Sequence, residues 1–248
     1  MNGEARTGPT GPSRRVWAIL FALGLVSMTG FVALGSWQLA RRSWKFDLIA
    51  RIEARLAAAP APAPGPALWS RIDAPGFEYR RLRVTGRYRH DRETPVRAVT
   101  ALGSGRWVMT PLVTDHGWSV LVNRGFVPDG GRAPATYQPG SVTITGLLRL
   151  SEPGGGWPRA DDPAADRWYA RDVPAIARRR GLTGVAPYFI DADRSASAGA
   201  WPRAGLTEVR FHNHHLAYAL TWFTLAAFVA AALALVARID REWWATQA

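Results

Sequence analysis

The stretch VWAILFALGLVSMTGFVALGSWQL, Val16 to Leu39, runs for 24 residues without a charged side chain. About 20 apolar residues suffice to cross the hydrocarbon core of a bilayer, so its length predicts a transmembrane helix. Ala33-Leu34-Gly35 has the small-residue look of a signal-peptidase site. A signal core is only about 7–15 residues long, however, which favours a retained anchor. Near the other end, Phe211 to Ala237 contains HHLAYALTWFTLAAFVAAALALVA, again uncharged when His is neutral. Leu225 to Ala237 lacks the polar stripe that a helix packed in a soluble core retains. Trp17, Trp37, Trp222, Trp243 and Trp244 lie near the span ends, where amphipathic rings favour the interface.

Two spans put both termini on one side. Arg6, Arg14, Arg15, Arg238 and Arg241 in the tails are balanced by Arg41, Arg42, Lys45 and Arg210 inside the loop. The loop decides the orientation, because loops longer than about 60 residues translocate largely regardless of charge. The expected division is a cytoplasmic tail at 1–15, a helix at 16–39, an extracytoplasmic domain at 40–210, a helix at 211–237 and a cytoplasmic tail at 238–248.

The net charge is +12, with the arginines scattered along the whole chain. No zinc-finger, basic-zipper or RNA-binding signature accompanies them, so nucleic acid is not the expected partner. Attraction to anionic lipid head groups accounts for the charge more simply. The chain has no cysteine, which excludes disulfides, thiolate metal sites and cysteine nucleophiles.

Within the loop, Lys45 to Ala59 has helical periodicity, with Phe46, Ile49, Ile52 and Leu56 on one side, until Pro60 to Pro66 (PAPAPGP) breaks it. Leu82, Val84, Gly86 and Tyr88 alternate with Arg81, Arg83, Thr85, Arg87 and Arg89, which makes a strand with one buried face and one basic, solvated face. Further strands are expected at Arg106 to Val113, at an edge or bulge because of Pro111, and at Trp118 to Val122, Val142 to Leu150 and Tyr188 to Ile190. A short helix from Val173 to Arg180 ends at Gly181. The fold class is therefore a membrane protein in which two transmembrane helices flank an α+β extracytoplasmic domain, its antiparallel sheet curled toward a barrel. Asp161-Asp162 and Asp191-Ala192-Asp193 read as turn residues rather than metal carboxylates. No catalytic motif assembles a nucleophile with a base, so no enzyme activity is expected.

The chemistry concentrates at Phe211-His212-Asn213-His214-His215-Leu216, at the mouth of the second span. His215, Tyr218 and Trp222 continue as a stripe at helical spacing. An imidazole there suits haem iron with aromatic neighbours over the porphyrin, or copper or zinc, or a simple helix cap. On the first span, Gly24, Ser27 and Gly30 are small residues spaced by three, which suits close helix packing.

Several segments, in order, resemble the surfeit locus protein 1 family of cytochrome c oxidase assembly proteins. Gly35-Ser36-Trp37-Gln38-Leu39 with Arg41 or Arg42 and Trp44-Lys45 resembles its G-x-W-Q-x-x-R-x-x-W-K. Tyr79 through Tyr88, Val120 through Pro128 (VLVNRGFVP), Gly146 through Pro153, Trp168 through Asp172 and Pro187 through Asp191 are similar to its later motifs. Asn213 through Phe223 resembles N-N-H-L-x-Y-A-x-T-W-F.

The resemblance implies a non-enzymatic, multi-pass inner-membrane protein that assists haem a insertion into the catalytic subunit of cytochrome c oxidase. The implied cofactor is haem a, with His215 as the iron ligand. Tyr218, Trp222 and His214 would be the accompanying cofactor-binding residues. The implied partners are the oxidase subunit, the haem a synthesis machinery and the lipid bilayer. His214 stands where the family has Asn and Phe126 where it has Trp. Trp168 and Tyr169 are candidates for a structural or haem-contacting role. A cofactor-free structural chaperone of the oxidase subunit is the alternative, and a His-based copper or zinc protein using His212, His214 and His215 is another.

Overall fold

A computed structural model describes residues 14–72, 74–130, 139–154, 160–193, 201–206 and 213–245. The chain separates into two compact units, one formed by Met1–Ala50 with Arg210–Ala248, the other by Arg51–Val209.

The first unit holds the two apolar helices. Helix α1 spans Arg14–Ala57 and the last helix, α4, spans His215–Ala245. The helical periodicity from Lys45 belongs to the same element as the span, since α1 runs through without a break. No proline or glycine stands between Leu39 and Ala57, so nothing ends the helix before Pro60.

The second unit is built on a sheet of strands β1 (Ala61–Pro62), β2 (Arg81–Tyr88), β3 (Thr94–Thr100), β4 (Gly103–Thr114), β5 (Ser119–Pro128), β6 (Ser141–Leu150) and β7 (Val185–Ala192). One-turn helix α2 covers Ala74–Phe77, and α3 covers Val173–Arg180. The order is β1-β2-β6-β7-β5-β4-β3, and the further pairing of β2 with β4 closes β2, β6, β7, β5 and β4 into a five-stranded barrel. The expected antiparallel sheet is in fact mixed, because β5 and β7 run parallel, as do β1 and β2.

Alternation along the strands fills the interior. Leu82, Val84, Leu112, Val120, Val122, Leu148, Ala186, Tyr188 and Ile190 form one buried cluster. The barrel is narrow enough that two alternating positions must be glycine. A Cβ on Gly86 would strike the Val113 carbonyl, and one on Gly146 the Asp191 carbonyl. The proline stretch packs onto the barrel. Pro64 O accepts from Tyr188 Oη (2.8 Å) and Trp69 Nε1 (3.0 Å), so 60–66 straps the barrel interior. Pro111 sits inside β4 where the partner on one side changes from β3, which pairs through Met109, to β2, which pairs from Leu112. The missing N–H falls at that changeover, beside a register shift between Trp107 and Met109.

A second core lies on the opposite strand faces, where α3 packs Val173 and Ile176 against Leu121, Phe189, Met109 and Val96. Asp172 caps α3 by accepting from Ala175 N, and Gly181 ends it with φ 60°, as its sequence indicates. Trp168 is 1% exposed within this core. Asp161 accepts from the Tyr169 and Ala170 amides, and Asp162 from Ala165 N, as turn residues do. Asp191 is different: it lies in β7 and is buried, accepting from Asn123 Nδ2 (2.8 Å), Arg149 Nη1 (3.2 Å) and Arg171 Nη1 (3.2 Å).

Asp166 accepts from Trp168 Nε1 at 2.8 Å and from Arg180 Nη2 at 2.7 and 2.9 Å. Burial alone would raise its pKa, but these donors outweigh that and hold the carboxyl below its ordinary value. A depressed folded pKa gives stability that is present above the unfolded value, about 3.9, and lost as pH falls through the folded one. Asn tolerates the residue's φ of 54°. Asp166→Asn is expected to cost about 1 kcal/mol at neutral pH, since solvent partly screens the pair, and to flatten the loss of stability below about pH 4. Denaturant melts across that range check it.

Candidate cofactor site on the paired helices

Helices α1 and α4 meet antiparallel along a seam of small and aromatic residues. Near one end a Cβ added to Gly24 would meet the Leu233 side chain, and near the other one added to Gly35 would lie 2.7 Å from the Phe223 ring. Gly30, which the spacing by three also suggests, has open space around it. The small residues that admit close approach are thus Gly24 and Gly35, answered on α4 by buried Ala219 and Ala226. Between them Phe31 stacks on Trp222 with ring centroids 5.7 Å apart and planes inclined by 23°.

Gly35→Leu is expected to force the helices apart. Because the chain has no cysteine, a pair introduced at Phe31 and Trp222 would report this specifically. A short bismaleimide should link that pair efficiently in the parent chain and at most weakly with Gly35→Leu.

At one end of the seam stands the histidine that the sequence singles out. His215, the first residue of α4, is half-buried, and its Nδ1 lies 2.7 Å from Gln38 Oε1 of α1. An amide oxygen only accepts, so Nδ1 is the donor in this contact, and in the neutral ring Nε2 then keeps the lone pair. Backing a ligating imidazole with an acceptor on its second nitrogen fixes the ring's orientation and raises its basicity. Sequence reasoning missed Gln38 as a site residue. The signal was present in the G-S-W-Q motif, but 177 residues separate Gln38 from its partner and no local spacing links them.

The other candidates divide. Trp222 joins His215 on the side of α4 that faces α1, but its ring is committed to Phe31. Tyr218 is 58% exposed. His214 is exposed and precedes the helix, its carbonyl accepting from Tyr218 N at 3.3 Å. Beside it the Asn213 side chain has both polar atoms covered and unbonded, which a buried amide does not tolerate without a partner. His212 lies outside the described residues. Among the described residues no three His, Asp or Glu side chains converge as a metal site would need.

This donor set fits a haem: one imidazole with a free Nε2, an acceptor behind it, an aromatic pair two turns along, and an orphaned amide two residues before it. Among the described residues it offers a divalent copper or zinc ion too few ligands, His212 lying outside them.

A model of the SURF1 family matches residues 25–227. Surfeit locus protein 1 of Rattus norvegicus is 36% identical over 231 residues, covering 85% of this chain and 72% of its own length. That of Homo sapiens is 36% identical over 232 residues, with 85% and 73% covered. A SURF1-like protein of Drosophila melanogaster is 32% identical over 227 residues, with 82% and 72% covered. The matched region takes in the whole barrel and the seam from Gly35 and Gln38 to His215 and Trp222, and the chain belongs to the SURF1 family.

Proposed function

We propose that this chain is a membrane-anchored, non-enzymatic assembly factor for haem-copper cytochrome c oxidase, assisting haem a insertion into the catalytic subunit. Family membership supports the oxidase role. The observation that carries the cofactor role is the His215–Gln38 pair on two apolar helices.

The membrane reading rests on exposure. Val26 is 70% exposed and Phe228 67%, amid many other bare leucines, valines and isoleucines on both helices. Such continuous apolar surface is stable in lipid and not in water. The long loop then folds on the extracytoplasmic side of the inner membrane, with both tails in the cytoplasm.

Haem a supplies an iron that takes an imidazole as axial ligand and a largely apolar ring that leaves water. Of this chain's residues, His215 offers Nε2, Gln38 holds the ring's tautomer, Tyr218 and Trp222 are its neighbours on α4, and His214 precedes it in the chain. A single imidazole suits a carrier that takes the group from the haem a synthesis machinery and gives it up to a partner. The stacking of Trp222 on Phe31 favours the cofactor-free chaperone as the second reading, since that ring is already occupied.

Cells lacking this chain are expected to lose assembled oxidase, and the full chain to restore it and co-purify with the catalytic subunit. Normal oxidase content in the deletion would remove the assembly role. A colourless chain that still restores assembly would select the second reading.

A further inference from the structure

The outward face of β2 carries a site that the haem role does not use. Arg83, Thr85 and Arg87 follow one another on that face, about 6.5–7 Å apart along the strand. Thr85 is in register with Thr143 of β6, their hydroxyls 2.9 Å apart. Arg81 on the same face is paired with Asp193. The side chains of Arg83 and Arg87, both exposed, bond to no other described residue.

Beside this face a cavity of ≈ 350 Å³ opens where β1 leaves β2 and the β4–β5 turn begins, with Asp115 N donating to Thr85 O at 3.2 Å. Arg83, Thr85, Asp115 and His116 line it, with Trp118 and Pro62 as apolar wall. Asp115 and His116 likewise bond to no described side chain, and Arg83 makes no ion pair with Asp115. The pocket therefore presents Arg83, with His116 beside it, and separately the Asp115 carboxylate, none bonded to another described side chain, while Arg87 stands next along the adjoining strand face. That pattern complements a ligand carrying a phosphate and an ammonium.

We infer that this pocket, together with the β2 face beside it, binds the phosphoethanolamine head group of a phospholipid. Arg83 and Arg87 would take the phosphodiester over the Thr85–Thr143 hydroxyls, and Asp115 the primary ammonium. Guanidinium forks suit phosphate oxygens. The bilayer is the favoured source, on the membrane reading above, because the chain joins this unit at both ends to apolar helices. The unit's 22 arginines against 15 acidic residues in 51–209 add a general pull toward a phosphate-rich surface.

The test is native mass spectrometry of the full chain in detergent with phosphatidylethanolamine, phosphatidylglycerol or soluble phosphoethanolamine added. Phosphatidylethanolamine should be retained best. Arg83→Gln with Arg87→Gln should weaken that retention about tenfold, as loss of charge-assisted bonds to phosphate does. Asp115→Asn should erase the preference over phosphatidylglycerol, and Arg97→Ala, at an arginine paired to Asp129 on another strand, should change nothing. Unchanged retention in the double variant, or a parent preference for phosphatidylglycerol, overturns the inference. Tighter binding of the soluble ester than of the lipid overturns the lipid assignment. Failure of the membrane reading shows separately, as release of the chain by carbonate extraction.

Discussion

Asp191→Ala should unfold the barrel unit under conditions where the parent chain is stable. The carboxylate is 3% exposed and joins three strands and a loop, through Asn123 of β5, Arg149 of β6 and Arg171. Both arginines lie against the Phe189 ring and also bond Glu152, at 2.9 Å from Arg149 and 2.7 Å from Arg171. Removing Asp191 leaves Arg171 with Glu152 alone and Arg149 with Glu152 and, at 3.5 Å, Glu78, and strips the Asn123 amide of its acceptor. Breaking a buried pair in this way costs about 3–5 kcal/mol, against a net stability of about 5–15 for a domain. Arg167→Ala, which breaks an exposed pair with Asp162, should cost less than about 1 kcal/mol. Denaturant melts followed by tryptophan fluorescence compare the two.

The second large effect is expected at the helix pair. His215→Ala should abolish haem a retention while leaving the barrel's melting unchanged, because the imidazole's one described bond is to Gln38. Gln38→Leu keeps the volume and removes the acceptor from Nδ1. Loss of such a supporting partner typically lowers affinity about 10- to 100-fold, so this variant should bind weakly rather than not at all. His214→Ala should retain haem, since His214 is exposed and outside the helix. Absorption spectra normalised to protein rank the three, and full retention by His215→Ala would remove that residue from the site.

What could be read from the residues alone follows a physical division. Local pattern found the apolar helices, the β2 and β6 alternation, and α3 with its stop at Gly181, because each depends on neighbours within a few residues. β3, TPVRAVT, was invisible because a proline and an arginine interrupt its alternation, and its pairing with β4 is what makes it a strand. Barrel closure and the parallel β5–β7 pair depend on which distant strands meet, which periodicity does not encode. Asp191 looked like a turn residue because its sequence neighbours are small and acidic; its burial comes from Arg149 and Arg171. The site was half legible. His215 stood out as an imidazole at the edge of an apolar run, but Gln38, Phe31 and the true contact glycines become visible only when the helices are paired.

The most direct measurement is the visible absorption spectrum of the unaltered full chain, solubilised from membranes of cells that synthesise haem a. A haem a band that co-elutes with the protein through size exclusion is the expected result. A chain that elutes folded and colourless from such cells would contradict the carrier role of the helix pair.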